Sequence, residues 1–164
     1  EISPSIFPQL KSQFGDYEVF STEEKLYEEI DELTYKWHLK GFIDLVIKTS
    51  DGKYHILDWK SCSWGWNAKK RSEKLVSYQL TLYKKFFCKK HDIDPADVET
   101  HFGLLKRTAK IDKVEIFRVT SGMRKTDNAT KLLTNGCRTI KAGTSIKNRT
   151  SCRYCEFSKT EHCP

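Results

Sequence analysis

The chain has 164 residues, enough for one domain with a single core and too few to split comfortably into two. Hydrophobic residues at 38% and aromatics at 12% exclude a disordered chain, and no run approaches the ~18 apolar residues of a membrane span. Lys and Arg number 29 against 22 acids, a formal charge of +7, which favours a polyanionic partner such as nucleic acid.

The N-terminal stretch lacks the basic-then-apolar layout of a signal peptide. Six cysteines suit a reducing compartment if three or four hold a metal, so an intracellular, cytoplasmic protein is expected. The chain starts at Glu1 rather than Met, as a fragment or a processed product would.

In chain order, residues from about Ser5 to Phe14 predict a short helix with Pro8 in its first turn, ended by Gly15-Asp16. Tyr17 to Ser21 and Lys25 to Ile30 read as short strands among several solvated glutamates. Leu39 to Lys60 then holds two β-branched-rich runs separated by Ser50-Asp51-Gly52, a hairpin signal with a glycine placed for positive φ. A three-residue loop pairs Thr49 with Lys53 and sets Asp44 directly opposite Asp58. A two-residue Asp51-Gly52 turn would shift the register by one and send the two acids to opposite faces. Like charges opposed on a strand pair repel, and a divalent cation with oxygen ligands turns that repulsion into a site. Lys60, two residues beyond Asp58, points to the same side.

The following loop carries Trp64 and Trp66 beside Lys69, Lys70 and Arg71, a composition that stacks on bases and neutralises phosphates, or alternatively caps the edge of the core. Ser72 is the expected N-cap of a helix running to about His91, with Leu75, Val76, Leu80, Tyr83, Phe86 and Phe87 inward. Gln79 falls within that face and needs hydrogen-bonding partners, with Tyr83 one turn on. Strands are expected over Glu99 to Thr108 and Lys113 to Val119, then a helix over Thr126 to Ala142 with Leu132, Leu133 and Ile140 inward, which Asn135-Gly136 would interrupt. The tail spaces Cys152, Cys155 and Cys163 as C-x2-C-x7-C, a pattern for metal or cluster ligation, with Cys137 and His162 as candidate fourth ligands.

Gly41-Phe42-Ile43-Asp44, Ile56-Leu57-Asp58-Trp59-Lys60, Gln79-Leu80-Thr81-Leu82-Tyr83 and a C-terminal cysteine cluster, in that order, resemble the PD-(D/E)XK nuclease superfamily. Within it they are most similar to the RecB-type and CRISPR-associated RecB-like exonucleases, many of them phage-encoded. The resemblance covers about residues 17 to 108 and the tail. It implies an α/β fold with a mixed central sheet, an αβββαβ restriction-endonuclease-like core over about residues 17–125, and a C-terminal helix and metal-bound cysteine tail over 126–164, all in one nuclease domain.

The resemblance also implies a metal-dependent deoxyribonuclease, with an exonuclease preferring single strands as the leading form. A site-specific endonuclease and a silent binding module are the alternatives. Asp44, Asp58 and the Trp59 carbonyl would hold Mg2+ or Mn2+, and Lys60 would position or activate the attacking water. Gln79 would orient that lysine or a phosphate, Tyr83 would touch the nucleic acid, and Glu24 is the counterpart of a further upstream acid. A [4Fe-4S] cluster or Zn2+ would sit at Cys152, Cys155 and Cys163 with Cys137. DNA is the implied partner, together with recombination or replication proteins, and no membrane.

Overall fold

The computed structural model describes residues 2–144 and 149–163. A 3-10 turn over Ser3–Ser5 leads into helix α1 (Ile6–Phe14), with Pro8 in its first turn as expected. Gly15 ends it at φ 69°, a conformation that costs a glycine little. Strand β1 (Tyr17–Glu29) is continuous where two short strands were expected. Its register against β2 (His38–Thr49) shifts between Val19 and Ser21, so a bulge rather than a break absorbs the irregular pattern.

Strand β3 (Tyr54–Cys62) follows, then a four-residue helix α2 (Ala68–Arg71) and the long helix α3 (Lys74–His91). Ser72 closes α2 instead of capping α3, which has Glu73 at its N-cap. Strands β4 (Val98–Lys106) and β5 (Val114–Arg118) and helix α4 (Met123–Lys141) complete the order expected of an αβββαβ core. The fold is mixed α/β, with one five-stranded sheet in the order β1-β2-β3-β4-β5. Only β3 and β4 are parallel, because the α2–α3 segment carries the chain across between them.

Period-2 alternation sends the strand side chains into two cores. On one face Leu26, Ile43, Val46, Ile56, Val98 and Phe102 meet Leu80, Phe86 and Phe87 of α3 and Cys137 of α4. On the other, Leu45, Ile47, Leu57, Val114 and Ile116 meet Leu10 and its neighbours on α1. Three expected inward residues are instead exposed: Leu75 at 67%, Leu132 at 49% and Ile140 at 67%. On α3, Val76, Leu80, Tyr83, Phe86 and Phe87 do meet the core, and Leu75 is exposed in the first turn of the helix although it shares a side with Phe86. On α4 the buried face is Ala129, Thr130, Thr134 and Cys137, with Leu133 partly buried. Asn135-Gly136 does not interrupt that helix.

Candidate active site

The hairpin between β2 and β3 closes through three residues. Thr49 N–H donates to the Lys53 carbonyl at 3.0 Å, and Gly52, at φ 85°, donates to the Thr49 carbonyl at 2.9 Å. The resulting register pairs Lys48 with Tyr54, Ile47 with His55, Val46 with Ile56 and Leu45 with Leu57. The regular pairing stops there, one step before Asp44 and Asp58, and the two acids are near enough for the Asp44 charge to act on Asp58.

The strand is irregular at that step. Ile43 and Val46 both enter the core under α3, whereas Leu45 and Ile47 enter the core under α1, so alternation slips by one around Asp44. The β1 register leaves out the Glu23–Asp44 pair, and Glu23 takes φ 49°. Freed from the ladder, the Asp44 carboxylate turns across to β3 and its Oδ2 accepts the Trp59 N–H at 2.6 Å. Trp59 is fixed on its other side as well, since its indole covers Gly103 of β4 so closely that a Cβ there would fall 2.2 Å from the ring.

Asp58 is buried, on the α3 side of β3 with Ile56. Burial pushes its carboxyl above the usual range and the Asp44 charge adds to that, while the Lys60 ammonium, 2.7 Å from Oδ2, opposes both. A buried carboxylate held beside a second one, with a single ammonium as its partner, suits a hard cation with oxygen ligands, which fits Mg2+ or Mn2+ chemistry.

Gln79 and Tyr83 lie one turn apart on α3, with Gln79 Nε2 donating to Tyr83 Oη at 3.1 Å. Tyr83 packs on Gly41 of β2, three residues before Asp44, where a Cβ would meet its ring at 2.8 Å. The Gly41-to-Asp44 run is therefore bare at its start so that α3 can approach. Glu24 belongs elsewhere. Its carboxylate takes Lys90 Nζ at 2.7 Å and His91 Nε2 at 2.9 Å, which clamps β1 to the last turn of α3.

The two tryptophans part company. Trp64 is 76% exposed, whereas Trp66 packs its ring 5.2 Å from Phe102 and 6.2 Å from Phe117 at the core edge. Arg71 joins Trp66, donating from Nε to its carbonyl at 2.9 Å, pairing with Glu115 at 2.5 Å and lying over Phe117. Lys69 and Lys70 stay on the surface, Lys70 beside Glu73 at 2.8 Å.

The model of the PD-(D/E)XK nuclease superfamily matches residues 8–162. The chain belongs to the PD-(D/E)XK nuclease superfamily. No curated protein matches the chain significantly. Several solved structures share the fold, two of them as follows. A crystal structure of SSO0001 aligns with TM-score 0.56 at 19% identity over 94% of this chain and 64% of its own. A candidate exonuclease from Eubacterium rectale aligns with TM-score 0.54 at 14% identity over 96% of this chain and 57% of its own. The chain thus spans about three fifths of the length of these two structures.

Beside this PD-(D/E)XK core runs an open groove of about 700 Å³ that the acids do not line. Its charged lining is entirely cationic: Arg71, Lys74, Arg118, Arg124 and Lys125. Among the described residues, no three of the cysteines expected to form one centre have their sulfurs within 4.8 Å of one another. Cys137 is buried in the core under α3, and Cys155 is exposed. A tetrahedral zinc holds its sulfurs within ~3.8 Å of one another, yet among the described residues the only metal-competent group whose ligand atoms all lie within 4.8 Å is His55, Glu99 and His101. The C-x2-C stretch is a tight turn, with Cys155 N–H donating to the Cys152 carbonyl at 3.2 Å.

That histidine group was missed in the sequence. Glu99 and His101 share a face of β4 at the strand period, a visible signal, but His55 joins them only through the parallel β3–β4 register, His55 against Glu99. No helix is long and apolar enough to cross a membrane among the described residues.

Proposed function

We propose that this nuclease hydrolyses DNA phosphodiesters with Mg2+ or Mn2+ as an exonuclease of the RecB-type branch, acting preferentially on single strands. The observation that carries the reading is the buried Asp58 carboxylate, held near the Asp44 carboxylate and paired with the Lys60 ammonium. Asp44, Asp58 and the Trp59 carbonyl would hold the ion. When bound, it neutralises phosphate charge and makes a water nucleophilic at neutral pH.

The chain's own residues do the rest. The hydrogen bond from Trp59 N–H holds Asp44 in one orientation, so the site is arranged before substrate arrives. Lys60 keeps a positive charge beside the reacting phosphate once Asp58 is engaged elsewhere. Gln79 and Tyr83, already joined, offer an amide and a phenol to the strand passing under α3. Trp64 alone supplies a free stacking surface in the loop after Lys60, and Lys69 and Lys70 with the cationic groove supply the polyanion path. Stacking is indifferent to base identity, which favours single strands without sequence readout.

A cluster or zinc at Cys152, Cys155 and Cys163 rests on the spacing alone, and a metal analysis with an absorption spectrum tests it. The deciding experiment for the function uses end-labelled linear and closed circular DNA, each single- and double-stranded, with and without Mg2+. Degradation of linear single strands that needs Mg2+ and vanishes in Asp58→Ala is the expected result. Cleavage of circles means an endonuclease. Binding without hydrolysis in any metal means a silent module.

A further inference from the structure

The sheet carries a second polar group on the face opposite Asp58. His55 Nδ1 lies 3.1 Å from His101 Nε2 and 3.8 Å from Glu99 Oε2, and His101 Nε2 lies 3.7 Å from the same oxygen. His55 is 8% exposed and His101 2%. The Phe14 ring, at the end of α1, closes over both imidazoles with centroids at 4.7 and 5.0 Å. We propose that His55, Glu99 and His101 form a binding site for a zinc-class transition-metal ion, distinct from the nuclease site and serving to pin β3, β4 and α1 together.

A proton inventory carries the argument. The Thr49 hydroxyl has one proton and three neighbours: Asp51 Oδ1 at 2.5 Å, the Lys53 carbonyl at 3.2 Å and His55 Nε2 at 3.1 Å. The first two only accept, and the Asp51 carboxyl is held below the usual range first of all by that hydroxyl, so the proton goes to Asp51. His55 must then donate from Nε2, which leaves its Nδ1 bare and aimed at the group. This is the outer hydrogen bond that fixes the tautomer of a ligating histidine.

His101 faces a choice between two neutral forms. Nδ1 is buried and without a partner in either, so the two forms differ in what Nε2 does: protonated, it donates to the bare His55 Nδ1 at 3.1 Å. With its proton on Nδ1, two bare nitrogens and a carboxylate oxygen face one another, and only a cation makes that arrangement favourable.

The geometry suits the second form. An ion with bonds of ~2.05 Å in tetrahedral array needs ligand atoms ~3.3 Å apart, and the three separations bracket that value. Arg118 holds the other carboxylate oxygen, Oε1, at 3.0 Å, which turns Oε2 inward. Imidazole donors select zinc and its neighbours over Mg2+. Because both histidines stay neutral, the ion enters by a shift of one proton from Nε2 to Nδ1 of His101, with none released.

The test labels the histidines of the full chain with 15N and adds Zn2+, counting stoichiometry in a Cys152→Ser, Cys155→Ser, Cys163→Ser background so that the tail thiols do not compete. The expected result is one equivalent bound, metal-type 15N shifts at His55 Nδ1 and His101 Nε2, and a raised Tm. Glu99→Gln should weaken Zn2+ binding at least tenfold, and Asp58→Asn should leave it unchanged. Should Glu99→Gln fail to fold, the ring nitrogens of the parent chain decide alone. Unshifted histidine nitrogens at saturating Zn2+, or equal affinity in a folded Glu99→Gln chain, would overturn the site and leave a hydrogen-bonded histidine pair.

Discussion

Strand β3 carries a charged group on each face. On the α3 side Asp58 meets Asp44 and Lys60, and three residues earlier, on the α1 side, His55 meets Glu99 and His101. The first group is two carboxylates and an ammonium, with Asp44 and Lys60 half-buried around a buried Asp58; the second is two buried imidazoles and one carboxylate under an aromatic ring. Donor hardness differs between them: oxygen ligands suit a hard cation, imidazole nitrogens a softer one.

Replacing Asp58 by Asn breaks the first group with the largest effect. A buried carboxylate whose charged form is disfavoured by burial weakens the fold that contains it, so Asp58→Asn should stabilise the apo protein by ~1 kcal/mol in a denaturant titration. Hydrolysis should fall at least ~10³-fold, ~4 kcal/mol of transition-state stabilisation. Mg2+ should raise the Tm of the parent and not of the variant. A variant less stable than its parent would mean that the Lys60 pair holds the strand and that Asp58 is structural.

Trp59 links the two faces, with its N–H on Asp44 and its indole across Gly103 of β4. Gly103→Ala places a methyl 2.2 Å from that ring, and overpacking of this kind costs ~1–3 kcal/mol. Urea unfolding should show the loss, and hydrolysis should drop beyond what stability explains because Trp59 no longer anchors Asp44. Trp59→Leu in the same chain should restore most of the stability.

These cases mark what the sequence could convey. The three-residue hairpin and its register out to Leu45 and Leu57 were legible because a hairpin register is local, set by Ser50-Asp51-Gly52 and counted outward. The slip at Asp44 was not, since it depends on β1, where Glu23 takes φ 49°. The His55 group was illegible for a related reason: 44 residues separate His55 from Glu99, and the parallel register between β3 and β4 has no turn to fix it. Helix faces were read where large apolar residues carry them, as on α3, and misread on α4, where threonines and a cysteine are buried in place of Leu132 and Ile140. The spacing of the tail cysteines was plain, but spacing does not bring thiols together.

The β1 edge gives a third way to sharpen the contrast, because Glu24 has the residue type of a metal ligand and the surroundings of a structural one. Burial alone would raise its carboxyl, yet hydrogen bonds from Lys90 and His91 outweigh it and hold the group below the ordinary 4.5. The stability this contributes is present above about 4.5 and is lost as pH falls through the lowered value. Glu24→Gln should cost ~2 kcal/mol at neutral pH, and the difference from the parent should shrink on acidification below pH 4.5. Hydrolysis in folded protein should persist, and its complete loss would return Glu24 to the metal site.

The smallest expected effect separates the two tryptophans after Lys60. Trp66 has a half-buried ring against Phe102 and Phe117, and Arg71 is tied to its carbonyl, so Trp66→Ala should appear first as lost stability. Trp64 touches little and is 76% exposed, so Trp64→Ala should leave the Tm nearly unchanged. If its indole stacks on one base of a bound strand, removing it weakens single-strand binding by ~1 kcal/mol, about fivefold in Kd. Duplex offers no free base face at that place, and its affinity should not move. The slope of log Kd against log salt should also stay the same, since an indole displaces no counterion, whereas replacing Lys69 and Lys70 should flatten it. An equal loss on single and double strands would show that the loop meets only the backbone, and the single-strand preference would then have to come from the width of the passage under α3.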